Sequence, residues 1–244
     1  MTPAQVGILG SLLLLLLLTS SMPVAFVMAV VGFAGFALLV NPDAAMSMMA
    51  ADLYDTFADY HLTVIPLFVF MGQIAFHAGI SRRLFDSAHR WLGALPGGMA
   101  MATVGACTAF GAICGSGPAT AATMSTVALP EMKRYGYSME LGTGSVAAGG
   151  GLGMLIPPSV VFIVYGVMAE QSVGQLFVAG IVPGLLIACM FCLTIYLNCR
   201  RRPELAPPCE RASWGERFAS LTGTIETLLI FAVVIGGMFL GWFI

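Results

Sequence analysis

Ser116, Thr120 and Thr123 lie in the stretch CGSGPATAATM, residues 114–124, which sets glycine, proline and hydroxyls inside an apolar run. Pro118 has no backbone N–H and suits the first turn of a helix, while Ser116 is a good cap for that helix. Gly115 and Gly117 permit a tight reversal just before it. A helix starting here carries about half a positive charge and unpaired N–H donors at its N-terminus. Ser116, Thr120 and Thr123 add hydroxyl oxygens beside that end. Such a cluster is suited to anions through its N–H groups and to a hard cation through its oxygens.

A second stretch has the same character. GGGLGMLIPPSVVFIVYG, residues 149–166, crowds Gly149, Gly150, Gly151 and Gly153 ahead of Pro157, Pro158 and Ser159. Two successive prolines end an incoming helix and open the next one. The segment 138–169 is therefore expected to be two half-helices joined by unwound chain, with carbonyls and an N-terminus facing one cavity. Half-helix carbonyl ends suit Na⁺, and half-helix N-termini suit anionic groups.

The elements that must position these groups belong to a membrane protein. The chain is 59% hydrophobic and 9% charged, whereas soluble domains are about a quarter charged. Apolar runs near the roughly 20 residues that cross a bilayer occupy 3–21, 23–40, 62–79, 175–199 and 221–244. The first lacks the early basic residues and small-x-small cleavage site of a signal peptide, so it is read as a span.

All 10 basic residues fall in three groups: Arg82, Arg83 and Arg90; Lys133 and Arg134; Arg200, Arg201, Arg202, Arg211 and Arg217. Positive loops face the cytoplasm, which places all three groups there, and the loop with Asp43, Asp52, Asp55 and Asp59 outside. Residues 97–134 then enter and leave by one face, as a re-entrant hairpin with CGSGPAT at its tip. Residues 138–169 cross outward to Glu170, 175–199 return, and the last span exits.

The remaining residues suggest little chemistry. Cys107, Cys114, Cys189, Cys192, Cys199 and Cys209 lie in apolar spans or on the cytoplasmic side, where disulfides are disfavoured. The pair Cys189 and Cys192 reads as small helix residues, not a redox motif. His61, His77 and His89 sit at span ends without clustering. No nucleophile–base pair, acid pair or metal cluster argues for an enzyme. Residues 43–60 are expected to form an amphipathic interfacial helix, with Met46, Met49, Leu53, Phe57 and Tyr60 on one face and Asp52, Asp55 and Asp59 on another. A docking surface for an external partner is the alternative use of that acidic face.

FGAICGSGPATAATMSTVALPEMKRYGYS, then AAGGGLGMLIPPS and QLFVAGIVPGLL, strongly resemble the large membrane subunit of tripartite ATP-independent periplasmic (TRAP) transporters. LTVIPLFVFMGQIAFHAGISRRLFD and LPGGMA match the same family, so the resemblance runs over nearly the whole chain. It implies an all-α integral membrane protein of the bacterial inner membrane, half of an elevator-type secondary transporter with one re-entrant helical hairpin and one broken transmembrane helix. By this resemblance residues 1–96 are scaffold-type helices, with the interfacial helix at 43–60. Residues 97–170 are half of the transport domain, comprising the hairpin 97–134 and the broken helix 138–169. Residues 171–244 add further helices and a cytoplasmic linker.

The resemblance also implies import of small organic acids, such as C4-dicarboxylates, driven by sodium. The expected partners are a small membrane subunit, a periplasmic substrate-binding protein and the lipid bilayer. Carried over residue by residue, Ser116, Gly117, Pro118, Ala119, Pro158 and Ser159 are the expected substrate-binding positions. Gly115, Ser116, Thr120, Gly150, Gly153 and Pro157 are the expected Na⁺ site, partly through backbone carbonyls, with no other cofactor. The family's large subunit is nearly twice this length, and its second half repeats the first in inverted orientation. A truncated chain, or completion by a separate polypeptide, is the expectation that follows. Another elevator-type anion carrier and an inert membrane fragment are the alternatives.

Overall fold

A computed structural model describes residues 2–207 and 212–239, and all of its regular structure is helical. Cys209, Arg211 and the last five residues of the fifth expected span lie outside the described residues. The chain divides into two compact units, Met1–Leu62 and Thr63–Ile244.

The first unit holds α1 (Pro3–Leu18), α2 (Val24–Leu39) and α3 (Pro42–Ala58). A reciprocal cap opens α1: Thr2 Oγ1 accepts from the Gln5 N–H at 3.3 Å, and Gln5 Oε1 accepts from the Thr2 N–H at 3.0 Å. Asn41 caps α3 by accepting from the Ala44 N–H at 2.7 Å, with Pro42 in the first turn. α1 and α2 form an antiparallel pair, and Leu16, Phe26 and Leu38 stay more than 60% exposed. Helices this apolar on their outer faces suit lipid rather than water.

The amphipathic reading of 43–60 needs correction in its faces. The face of α3 turned to α2 carries the expected Met49 and Leu53 but also Ala45, Met48, Asp52 and Thr56, lining a groove of about 370 Å³ with Met28 and Phe36. Met46 and Phe57 point outward, 57% and 85% exposed. Ala45, only 3% exposed, is small enough for close approach and sets the rotation, so Asp52 turns toward α2.

The second unit runs α4 (Val64–His77), α5 (Ile80–Leu92), α6 (Gly98–Cys114), α7 (Gly117–Arg134), α8 (Met139–Leu155), α9 (Val160–Met168), α10 (Val173–Arg201) and α11 (Trp214–Phe239). One-turn 3-10 segments lie at Tyr60–Thr63 and Pro203–Leu205. At the centre is α6, with 14 of its 17 residues buried. Its sequence, GMAMATVGACTAFGAIC, is small or apolar all round, as a helix enclosed by others requires. Around it pack α4, α5, α7, α8, α10 and α11.

The arginines assigned to a loop after the third span lie instead on a helix. α5 buries Ile80, Leu84 and Phe85 and exposes Arg82, Asp86 and Arg90, the one-sided pattern of a surface helix. At the same end the α10–α11 linker closes over the α7–α8 turn: the Ser138 N–H donates to the Leu205 carbonyl at 2.9 Å, and Ala206 is buried.

Among the described residues α10 is the one unbroken helix long and apolar enough to cross a membrane. The pair α8–α9 meets the same measure only if taken together across its 41° bend. At 16 and 14 residues, α1, α2 and α4 extend about 21–24 Å, short of a ~30 Å hydrocarbon core.

Candidate functional site: a hairpin tip docked on a broken helix

α6 ends where Gly115 takes the left-handed conformation, φ 62°, and its N–H donates to the Gly111 carbonyl at 2.7 Å. Only glycine adopts that geometry without a Cβ penalty. Ser116 is extended and caps α7, its Oγ accepting from the Ala119 N–H at 3.5 Å, while its carbonyl accepts from the Thr120 N–H at 3.0 Å. Pro118 occupies the first turn. The expected helical reversal at CGSGP is thus present in the fold.

The second break is shorter than expected. Gly149, Gly150, Gly151 and Gly153 all lie inside α8, and the unwound chain is confined to residues 156–159. These glycines serve close approach. A Cβ on Gly150 would stand 2.7 Å from Ala121 Cβ, one on Gly149 2.9 Å from Cys107 Cβ, and one on Gly111 2.4 Å from Gly153 Cα. Three helices therefore touch through backbone at this level.

The prolines do the breaking. Pro157 and Pro158 have no N–H to give to the Gly153 and Met154 carbonyls four residues earlier. The Ser159 hydroxyl fills one gap by donating to the Met154 carbonyl. The Gly153 carbonyl keeps no helical donor.

The two breaks meet. The Val160 N–H, first of α9, donates to the Gly115 carbonyl at 3.2 Å, and a Cβ on Gly115 would lie 3.0 Å from the Pro158 carbonyl oxygen. Thr120 is fully buried against Gly153, whose absent Cβ would fall 2.7 Å from Thr120 Oγ1 and 3.3 Å from the Ser116 carbonyl oxygen. Thr120 Oγ1 has no nitrogen or oxygen partner, and the Cys114 thiol beside it, a weak acceptor, is the one side chain to which its hydroxyl can turn. A buried hydroxyl without a partner costs about 1–3 kcal/mol, so the fold retains a polar atom here at a loss.

Gly115, Ser116, Gly117, Thr120, Gly150, Gly153, Pro158 and Ser159 thus come to one locus, and Pro157 is buried beside them. The tip has two sides. Gly115, Gly117 and Thr120 are buried against the break, whereas Pro118 is exposed and Ser116 and Ala119 are half-exposed. Ser159 has no exposed surface, and Gly115 occupies the first N–H of α9. The open N-terminal end is therefore that of α7. Gly111 and Cys107, which set the α6–α8 contact, were not singled out from the sequence; the small-x-x-x-small spacing of Gly111 and Gly115 is the signal that marks them.

No Lys or Arg lies between Arg90 and Lys133, so charge collects at the far end of the hairpin. There Arg82, Asp86, His89 and Arg90 of α5 face Glu131 of α7 and Tyr135, which caps its C-terminal end, across a cavity of about 300 Å³. Although Asp86 keeps an exposed surface, partial desolvation of its carboxyl pushes it above its usual range, opposed by Arg82 and Arg90. Burial also pulls His89 below its ordinary value, opposed by Asp86 and Glu131. The His89 ring stacks on Phe85 at 6.2 Å and tilts against Tyr135 at 5.9 Å.

Comparison with known proteins supplies the family. The sequence profile described as "Tripartite ATP-independent periplasmic transporter, DctM component" matches residues 10–244. A C4-dicarboxylate TRAP transporter large permease protein DctM of Pseudomonas aeruginosa is 41% identical over 206 residues, covering 84% of this chain and 48% of the relative. The corresponding protein of Rhodobacter capsulatus is 31% identical over 250 residues, covering 97% and 56%. An ectoine TRAP transporter large permease, TeaC of Halomonas elongata, is 31% identical over 243 residues, covering all of this chain and 55% of its own. The chain spans about half the length of these relatives, which are transporter permeases and not enzymes. With its profile matched almost from end to end, the chain belongs to the DctM family of TRAP transporter large permeases.

Proposed function

We propose that the chain forms part of the membrane permease of a sodium-coupled importer of small organic acids in the bacterial inner membrane. The observation that carries this reading is the docking of the hairpin tip on the broken helix, with Thr120 Oγ1 buried against the Gly153 backbone without a nitrogen or oxygen partner, and the Gly153 carbonyl denied its helical donor by Pro157. Together with the Ser116 carbonyl these are hard oxygens gathered without a positive charge, the setting in which interrupted transmembrane helices hold Na⁺. Gly115, Gly150 and Pro157 shape the pocket by leaving out Cβ atoms and N–H donors.

The open side of the tip, Ser116–Ala119, aims the N-terminus of α7 at a carboxylate. Pro158 and Ser159 support it from behind. Residues 97–134 act as a re-entrant hairpin: the apolar part of α7, from Pro118 to Leu129, is about 18 Å long, and Lys133 and Arg134 end it on the side of Arg90. Hairpin and broken helix move as one elevator body. Relatives named for C4-dicarboxylate, sialic acid and isethionate transport support an acidic substrate. A small membrane subunit and a periplasmic binding protein complete the importer; a relative named DctMQ, of which this chain matches 33%, fits two membrane parts joined in one chain.

Uptake of radiolabelled C4-dicarboxylate into proteoliposomes holding the complete permease, with its binding protein outside, tests the reading. Uptake should require an inward Na⁺ gradient and fall with Thr120→Val. Uptake unchanged when choline replaces Na⁺ removes the coupling claim.

A further inference from the structure

The basic end of the second unit holds another polar recess, remote from the hairpin tip. It has a volume of about 260 Å³ and lies between α5 and α11, lined by Arg83, Asp86, Ser87, Arg90, Ser220 and Thr222 among others. Ser87 Oγ donates to the Ser220 carbonyl at 2.6 Å and ties the two helices together. The Ser220 and Thr222 hydroxyls donate to carbonyls of their own helix at 2.7 Å, and the Arg83 guanidinium donates to the Ala78 carbonyl at 2.7 Å, so the Arg90 guanidinium is the strong donor facing the recess.

An aromatic corner holds this geometry in place. Trp91 Nε1 donates to the Arg217 carbonyl at 3.2 Å. Phe218 stands edge-on to Trp91 at 5.9 Å and stacks with Trp214 at 6.3 Å, while the Arg217 guanidinium lies 5.1 Å over the Trp214 ring. Arg217 is thus oriented by an aromatic face.

Depth and charge indicate the occupant. The uninterrupted apolar run of α11 begins at Leu228. Ala219–Gly223 stand five to nine residues before it, about 8–14 Å along the axis, at the level where headgroups flank the hydrocarbon core. Ile225 is exposed between the recess and the apolar run, with Leu221 exposed beside the recess, a path for an acyl chain. Among the described side chains at this corner, Arg82, Arg83, Arg90 and Arg217 outnumber the carboxylates of Asp86, Glu131 and Glu216. Basic pockets between helices on the positively charged side of a membrane protein recognise anionic headgroups.

We propose that the α5–α11 recess binds the phosphodiester headgroup of an anionic phospholipid, with Arg90 as its main charged contact. Binding there clamps α5, which carries the charged base of the hairpin cavity, onto α11. The proposal rests on the membrane-embedded reading of the chain and is otherwise independent of sodium or substrate.

The test uses the whole chain in nanodiscs of phosphatidylcholine with and without phosphatidylglycerol, read by thermal melting. Phosphatidylglycerol should raise Tm by roughly 5 °C. Arg90→Gln and Thr222→Glu, the second placing a negative charge at an exposed position of the recess, should abolish most of that rise. Arg134→Gln, whose exposed side chain pairs with Glu131 at 3.8 Å, should keep it. An equal rise in the wild type and Thr222→Glu overturns the site. A rise matched by inorganic phosphate or glycerol phosphate in phosphatidylcholine overturns the lipid as its source. Flotation with phosphatidylcholine vesicles reads insertion alone: a chain that fails to float overturns the membrane reading, whereas insertion without a phosphatidylglycerol-specific rise overturns the headgroup site only.

Discussion

The hairpin tip and the α8–α9 break interrupt helices by opposite means. At the tip a left-handed glycine and a capping serine satisfy the ends they create, with the Gly115 N–H on Gly111 and the Ser116 carbonyl on Thr120. At the break two prolines remove donors, and only one of the two orphaned carbonyls is answered, by Ser159. The first device makes a reversal that is locally complete. The second leaves oxygen unsatisfied. A turn can therefore be read as structure, whereas an orphaned carbonyl beside a buried hydroxyl invites a ligand.

If this contrast is right, substitutions at the two places separate stability from transport. The largest effect belongs to the contact that joins them. Gly111→Val puts a Cβ 2.4 Å from Gly153 Cα, where backbone cannot give way, and should lower Tm by roughly 10 °C and abolish uptake. Replacing both prolines, Pro157→Ala with Pro158→Ala, restores two N–H donors. Uptake should fall below a tenth of wild type while Tm holds or rises; a collapse in Tm would show that the break is structural.

Thr120→Val keeps shape and removes the hydroxyl. Its Tm should change little, since the one polar side chain within reach of the hydroxyl is the weakly accepting Cys114 thiol. The Na⁺ concentration for half-maximal uptake should increase about tenfold, equivalent to about 1.4 kcal/mol, and Thr120→Ser should restore most of it. An unchanged Na⁺ response with a lowered Tm would make Thr120 a packing residue.

The smallest effect lies at the charged base. His89 is held below its ordinary value, so the unfolded chain takes up a proton that the folded one refuses. Stability from this group is complete above the unfolded value of about 6.5 and declines as pH falls below it. Asp86, held above its usual range, acts in the opposite sense, gaining stability as pH falls through its raised value. Between pH 7.5 and 5.5, His89→Gln should flatten the fall in Tm by about 1–2 °C.

Much of this arrangement was legible in the sequence, because glycine, serine and proline at residues 115–118 and 157–159 impose their geometry locally. The glycines at 149–153 were not: glycine in a helix costs only about 1 kcal/mol, and whether it breaks the helix or admits a neighbour depends on what approaches. Here Cys107, Ala121 and Thr120 approach, from helices distant in sequence. The helical run of α5 was hidden for a related reason. Read for charge, Arg82, Arg83 and Arg90 mark a loop; read with Ile80, Leu84 and Phe85, the same residues mark a surface helix. The rotation of α3 escaped because its packing face is chosen by Ala45, a small residue that carries little weight in a hydrophobic stripe.

The enclosure of α6 has a bearing on the surrounding lipid. A helix with a lipid-facing side must accommodate bilayers thicker or thinner than itself by tilting or bending. α6 is surrounded by protein, so that adjustment falls to its exposed neighbours, α10 above all, with Val182, Leu186 and Met190 open along its side. On the proposed re-entrant placement, the depth of the Gly115–Ser116 tip is thereby insulated from changes in bilayer thickness.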